Sequence, residues 1–284
     1  EWLTCPDEAQ QIWLADHCAD LGIPFLDLLK QKSDQLLRSD PKTADLVTRS
    51  CLLVAEQLIH DPLAYPLACW ARGNWAYYHD PQQAINFYQQ ALRGYRYSNN
   101  EEAKIRLLSN LIAACLETGD FTTAYQTYDE VYLLAEHLQP GNQHLLISPE
   151  QNYGLLLHTT GHYIEALAAH ERARAFAERF AYFDRMTEID VNRALTLCHL
   201  DRLAEGEQLL LASRPAAVTL EHHLTVARID MNLGELYMAQ GRPADALRRL
   251  QSARQQFERL NNPMEVGSIL LREAALFERI GILN

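Results

Sequence analysis

Four asparagines recur in one register: Asn110, Asn152, Asn192 and Asn232 stand 42, 40 and 40 residues apart. Asparagine is a mediocre helix former, so four in phase ask for a reason. Its side-chain amide carries two donor hydrogens and one carbonyl acceptor, enough to satisfy both the N–H and the C=O of an extended peptide. Repeated at a fixed spacing, such amides grip a main chain whatever its side chains, and leave specificity to their neighbours. The competing use is structural, with the same amides tying one repeat to the next. Trp70 stands forty residues before Asn110, and Arg272 stands forty after Asn232, so the run has four rungs.

Helical spacing places Arg106, Ser148, Glu188 and Arg228 four residues before the rungs, and Ala113, Leu155, Leu195 and Glu235 three residues after, on one face. That face is mixed, with positive character at Arg106, Arg228 and Arg272. The candidate binding set is therefore Asn110, Asn152, Asn192 and Asn232 with Arg106, Arg228 and Arg272. Asn152 and Asn192, the middle rungs, are expected to meet any segment crossing the face. Trp70, Trp75, Tyr77 and Tyr78 cluster nearby and read as core rather than as a ligand cage.

Other chemistry lacks its parts. His158 and His162 are separated by the helix-breaking Gly161, and His222 and His223 are adjacent and point apart; neither pair has a third metal ligand at a workable spacing. Cys198 and His199 are sequence neighbours, which does not aim one at the other. Glycine-rich phosphate loops, G-x-S-x-G and H-E-x-x-H are absent. No catalytic residue, metal ligand or cofactor is assigned. The six cysteines form no C-x-x-C pair and sit among apolar residues, which reads as reduced, buried thiol in a cytoplasmic protein.

The elements that must position these residues follow from the same register. Small residues fall at Ala44, Ala84, Ala124, Ala166, Gly206 and Ala246, in steps of 40, 40, 42, 40 and 40. Five residues before each lies a turn position: Ser39, His79, Gly119, Gly161, Asp201 and Gly241, with Gly281 continuing the series. A small side chain lets two helices approach at a crossing, while glycine, aspartate or serine ends one helix and caps the next. Four residues after the small position come Tyr88, Tyr128, His170, Leu210 and Leu250, and three further on come Ala91, Val131, Ala173, Ser213 and Ala253: one buried helical face. Strand-like alternation is absent. The first helix of each pair is predicted near 66–78, 104–118, 147–160, 186–200, 225–240 and 265–280, and the second near 82–97, 121–138, 163–181, 203–213 and 243–260. Residues 1–38 form an N-terminal helical cap or degenerate first repeat, with helices near 7–21 and 24–38. Residues 39–284 form the array, which begins with a helix near 41–59.

Hydrophobic residues make up 48% of the 284, sufficient for a continuous core. With 25 Lys and Arg against 37 Asp and Glu, the net charge of -12 repels phosphate backbones, so nucleic acid is not the expected partner. No apolar run is long enough to span a bilayer, and the first residues lack the pattern of a signal peptide.

Leu233-Gly234-x-x-Tyr237 with Gly241, Ala246 and Ala253, and Tyr153-Gly154-x-x-Leu157 with Gly161 and Ala166, resemble the tetratricopeptide repeat. The resemblance covers residues 39–284, with a period of 40–42 in place of the usual 34 or so. It implies an all-α, right-handed superhelical solenoid of antiparallel helix pairs, whose first helices line a concave groove. The asparagine run is similar to the ladder of kinesin light chains, which implies a protein-binding scaffold for an extended peptide or partner segment. The repeats are also similar to arrays that precede bacterial caspase-like CHAT proteases, which implies a regulatory arm in bacterial signalling whose catalytic domain lies outside this chain. The array stops inside a further repeat, and the expectation is that a further domain of the native chain follows.

Overall fold

The computed structural model describes the backbone of residues 7–279 and the side chains from residue 22 onward. Gly281, at the end of the turn series, lies outside the described residues. Thirteen α-helices account for most of the described residues, and no strand occurs among them. Compactness divides the chain into two units, at Asn152 and Tyr153.

The first unit holds α1 (Asp7–Leu36), α2 (Pro41–Gln57), α3 (Ala64–Tyr77), α4 (Pro81–Tyr95), α5 (Glu101–Thr118), α6 (Phe121–Ala135) and the start of α7 (Ile147–Thr159). The two helices expected before residue 39 meet within α1 at a kink, where Gly22 leaves helical geometry two residues before Pro24. Four helix starts here are fixed by side chains, α3 after Leu63 being the exception among α2 to α6. Asp40, Asp80, Asn100 and Asp120 each accept a hydrogen bond from the backbone N–H three residues on, and Pro41 and Pro81 follow two of them in the first turn. Links vary in length. The longest, between α6 and α7, carries a 3-10 turn over Pro140–Leu146 and accounts for the single 42-residue step.

The second unit is far more regular. After the end of α7 come α8 (Tyr163–Arg179), α9 (Phe183–His199), α10 (Leu203–Thr219), α11 (His223–Ala239), α12 (Pro243–Arg259) and α13 (Pro263–Arg279), each of 17 residues. Every link between them is three residues, so the backbone repeats every 20 residues. Gly161, Ala181, Asp201, Glu221, Gly241 and Asn261 all adopt positive φ, between 51° and 83°. At each, the next residue's N–H reaches back five positions, as in Tyr182 to the Ala177 carbonyl at 2.8 Å and His222 to Ala217 at 3.0 Å. This left-handed closure satisfies helix-end carbonyls. Helix α10 was expected to stop near residue 213. It runs through Pro215 to Thr219, because Ala217 is buried in the core and holds the last turn in place.

The residues expected at helix crossings are buried: Ala44, Ala84, Ala124, Ala166 and Ala246 are fully so, and Tyr88, Tyr128, His170, Leu210 and Leu250 pack beside them. Within each unit, successive helices pack as neighbours in sequence, and the first helices also meet: α3 with α5, and α11 with α9 and α13.

Candidate peptide-binding face

The four asparagines split by unit. In the first, Asn110 on α5 places one polar amide atom 3.0 Å from the Asn74 amide and 3.2 Å from Trp70 Nε1, so it is engaged whichever way the amide is turned. Asn74 extends the chain inward, donating to Asp34 at 2.7 Å and accepting from the Tyr88 hydroxyl at 3.2 Å. Asn152 donates from Nδ2 to the Ser109 carbonyl at 2.9 Å and lies 3.2 Å from Ser109 Oγ. These two rungs tie neighbouring repeats together.

In the second unit, Asn192 on α9 and Asn232 on α11 are 4% and 7% exposed. Neither side-chain amide has a hydrogen-bond partner among the described residues. Their amide atoms are not among the sealed, unpartnered polar atoms of the described residues, so the small surface that each residue exposes includes its polar tip. The two lie on adjacent first helices that pack on each other.

The arginines split too. Arg106 is exposed and bound to Glu102 at 2.9 Å on its own helix. Arg272 is held by Glu235 and by the Ser268 carbonyl at 3.1 Å. Arg228, exposed and one turn before Asn232, has no ion pair among the described residues. Glu188, at the equivalent place before Asn192, is 3.6 Å from Arg185. The cations of this face are thus mostly neutralised within the protein. The aromatic cluster is part of the core and its edge: Lys30 Nζ sits 4.2 Å over the buried Trp70 ring, and the Arg72 guanidinium 4.0 Å over Trp75.

An ionic series that sequence reasoning missed links each second helix to the next first helix. Arg174, Arg214 and Arg254, on α8, α10 and α12, are 40 residues apart, and each reaches a carboxylate on the following first helix. Arg174 meets Asp190 at 3.3 Å, Arg214 holds Asp230 through two bonds of 2.9 Å, and Arg254 meets Glu273 at 2.7 Å. Asp230 is fully buried and also accepts from Arg249, Ser252 and Gln256. Burial alone would raise its pKa, but the hydrogen bonds from Arg214 and Ser252 prevail and hold it below the usual carboxylate value. The same 40-residue spacing that exposed the asparagines was the available signal.

His170 occupies the large position of its repeat and is fully buried, with neither ring nitrogen partnered. Gly154 makes room for it: a Cβ there would stand 2.4 Å from the imidazole. Burial, with smaller contributions from His158 and Arg193, pushes its pKa down to about 3, so the ring is neutral. His158 instead gathers with Tyr163 and His199, whose rings stack at 4.7 Å, and lies 3.1 Å from Thr196 Oγ1. Burial pushes the Cys51 and Cys115 thiols up to about 12, and Cys69 and Cys198 to about 11, so they stay protonated and poorly nucleophilic. No helix among the described residues is long and apolar enough to cross a membrane.

The tetratricopeptide repeat family model matches residues 104–179. No curated protein sequence matches the chain. Among solved structures, the fold is similar to that of a Signal Transduction ATPase with Numerous Domains from Pyrococcus horikoshii, described as having a tetratricopeptide repeat sensor. That likeness has a TM-score of 0.63 at 14% identity, over 89% of this chain and 38% of that one. A Rap protein complexed with Competence and Sporulation Factor is similar at TM-score 0.57 and 14% identity, over 91% of this chain and 81% of that one. The quorum sensor NprR from B. thuringiensis is similar at TM-score 0.54 and 14% identity, over 96% and 89%. The repeat match over residues 104–179 and these folds agree with the helix pairing: the chain has an all-α helical-repeat fold like that of these proteins.

Proposed function

We propose that this array is a protein-binding module whose second unit holds the main chain of an extended partner segment through Asn192 and Asn232. The observation that carries the reading is the pair of unpartnered amides on adjacent first helices, their side chains packed in place while their polar tips stay open to solvent. Each offers donors and an acceptor, matching one peptide unit, and a bound backbone supplies the missing partners. Asn110 and Asn152 serve as repeat-to-repeat ties, and Arg228 supplies an unpaired positive charge beside the segment. The Rap protein named with its bound factor lends support by fold.

A library of extended peptides screened on the whole chain supplies the probe, and calorimetry then compares variants. Each bond is worth about 0.5–1.5 kcal/mol net, so Asn192→Ala/Asn232→Ala is expected to weaken binding about a hundredfold while leaving the melting temperature unchanged or slightly higher. Asn110→Ala/Asn152→Ala is expected to lower the melting temperature instead. Unchanged affinity in the first double variant would sink the reading.

A second reading makes the array the sensor or regulatory arm of a larger cytoplasmic effector, such as a CHAT-type protease. It rests on the same groove chemistry and on likeness to the Pyrococcus horikoshii sensor, of whose chain this one spans 38%. Segment binding that changes the activity of a domain encoded in the same reading frame supports it; a reading frame without such a domain removes it.

A further inference from the structure

We infer a second binding site in the first unit: a cleft between α4 and α6 that takes a small amphiphilic anion, an apolar chain ending in a carboxylate. The cleft encloses about 710 Å³, within the range of small-molecule sites. Its floor is apolar, formed by α5 around Leu108, and Leu133 of α6 extends that surface while itself more than half exposed. Arg93 on α4, Arg96 just past its end and Lys104 on α5 stand at its wall, opposed by the single acid Glu130.

Charge selects the ligand. The chain carries an excess of twelve acidic residues, and cations elsewhere are commonly paired, as Arg72, Arg174, Arg214 and Arg254 are. Arg93, Arg96 and Lys104 have no ion pair among the described residues, although all three line one cleft whose lining also includes Leu92, Leu108 and Leu133. Three unpaired cations against one acid leave the cleft positive within a strongly negative molecule, which concentrates an anion and disfavours a cation. The apolar floor favours a ligand with a hydrocarbon body over a bare anion. The α6 wall, from Thr123 to Leu134, is about 16 Å long at 1.5 Å per residue, suited to a medium-length acyl chain.

The site is separate from the asparagine run. At 100° per residue, Lys104 and Leu108 lie on one side of α5, whereas Arg106 and Asn110 lie roughly opposite. An acyl anion in the cleft therefore leaves the rung face open, and the inference stands whether or not Asn192 and Asn232 hold a peptide.

The test is calorimetric titration of the full chain with dodecanoate below its micellar concentration, beside dodecanol, inorganic phosphate and a poly-glutamate peptide. Saturable binding of dodecanoate at one site is expected, at least tenfold tighter than dodecanol. Arg93→Gln/Lys104→Gln and, separately, Leu133→Asn are expected to weaken it tenfold or more with the melting temperature unchanged, since the side chains altered are at the surface of the cleft. Asn192→Ala/Asn232→Ala is expected to leave it unchanged. The inference is overturned by no dodecanoate binding, by binding indifferent to both cleft variants, or by phosphate or poly-glutamate binding as tightly as dodecanoate.

Discussion

Up to Asn152 most helices are started by side chains: Asp40, Asp80, Asn100 and Asp120 each cap the turn that follows, and only α3, beginning after Leu63, lacks such a bond among α2 to α6. From Tyr153 onward, His162, Tyr182, Arg202, His222 and Arg242 stand at the same places and make no such bond, and only Asn262, before α13, accepts one, from the Glu265 N–H at 3.3 Å. There the helices are finished by the backbone, in a left-handed turn every 20 residues, even where the residue is Ala181 or Glu221. A side-chain cap is local and acts before any packing exists. A left-handed turn at alanine or glutamate is intrinsically unfavourable, and holds only because the packed helices on either side require it. The first unit thus has most of its helix starts fixed locally, and the second has most of its helix boundaries fixed by tertiary contacts. The same division separates the asparagines, which are tied into the framework in the first unit and left open in the second.

The contrast makes the second unit's buried polar groups its most sensitive points. Asp230→Ala is expected to have the largest effect. It would strand Arg214 and Arg249 beside a fully buried position, and losing one partner of such a network typically costs about 3–5 kcal/mol. Urea unfolding read by circular dichroism measures this; a loss below about 1 kcal/mol would mean that Asp230 is not the anchor of its unit. Asp34→Ala in the first unit is expected to cost less, because Asp34 is partly exposed to water.

The next effect depends on pH. His170 has a folded pKa of about 3, below the ordinary value of 6.5, so the unfolded chain takes up the proton first. Its neutral burial costs nothing further above pH 6.5, and stability falls as pH drops from 6.5 towards 3, by up to about 1.4 kcal/mol per pH unit. Asp230 adds a loss at lower pH, because its stabilising charge is fully present only above the unfolded value near 3.9. His170→Leu matches the residue at positions 210 and 250 and removes two unpartnered nitrogens. It is expected to raise stability by about 1–3 kcal/mol at pH 7, and by more at pH 5. Equal gains at both pH values would show that His170 does not titrate on unfolding.

Capping gives a smaller effect, concentrated in the first unit. Asp80→Ala and Asp120→Ala are each expected to lose about 1 kcal/mol, with the bonds to Gln83 and Thr123 removed. His162→Ala, at a helix start with no side-chain cap bond, is expected to stay within about 0.5 kcal/mol of wild type. Equal losses at all three would erase the distinction between the units.

How much could be read in advance follows the same line. The 40-residue register of small and large residues was legible, because burial restricts residue type and every member of the series is buried. The turns at Gly119, Gly161 and Gly241 were legible because glycine is the residue suited to positive φ. The intervening turns at Ala181, Glu221 and Asn261 were not, since packing and not residue type fixes them, and the true backbone step of 20 stayed hidden. Of the site, the asparagine spacing was plain, but which amides remain open was not. Ser109, the partner that occupies Asn152, lies 43 residues away and carries no recognisable pattern.

The smallest effect tests the contrast most directly, at those hidden turns. Ala181 and Glu221 hold φ of 58° and 55°, where a Cβ costs about 1–2 kcal/mol. Glycine relieves that strain but adds freedom to the unfolded chain, which takes back roughly 0.5–1 kcal/mol. Ala181→Gly and Glu221→Gly are therefore each expected to gain about 0.5–1 kcal/mol, additively, because the two turns are 40 residues apart and share no partner. Gln255→Gly, exposed within α12, is expected to lose about 1 kcal/mol, since there the same freedom is lost on folding with no strain relieved. Thermal melts of the three variants and the double distinguish the outcomes by sign. A loss at Ala181 comparable to that at Gln255 would mean that the left-handed turn carries no strain, and that the second unit's helix ends are set locally after all, as the first unit's helix starts are.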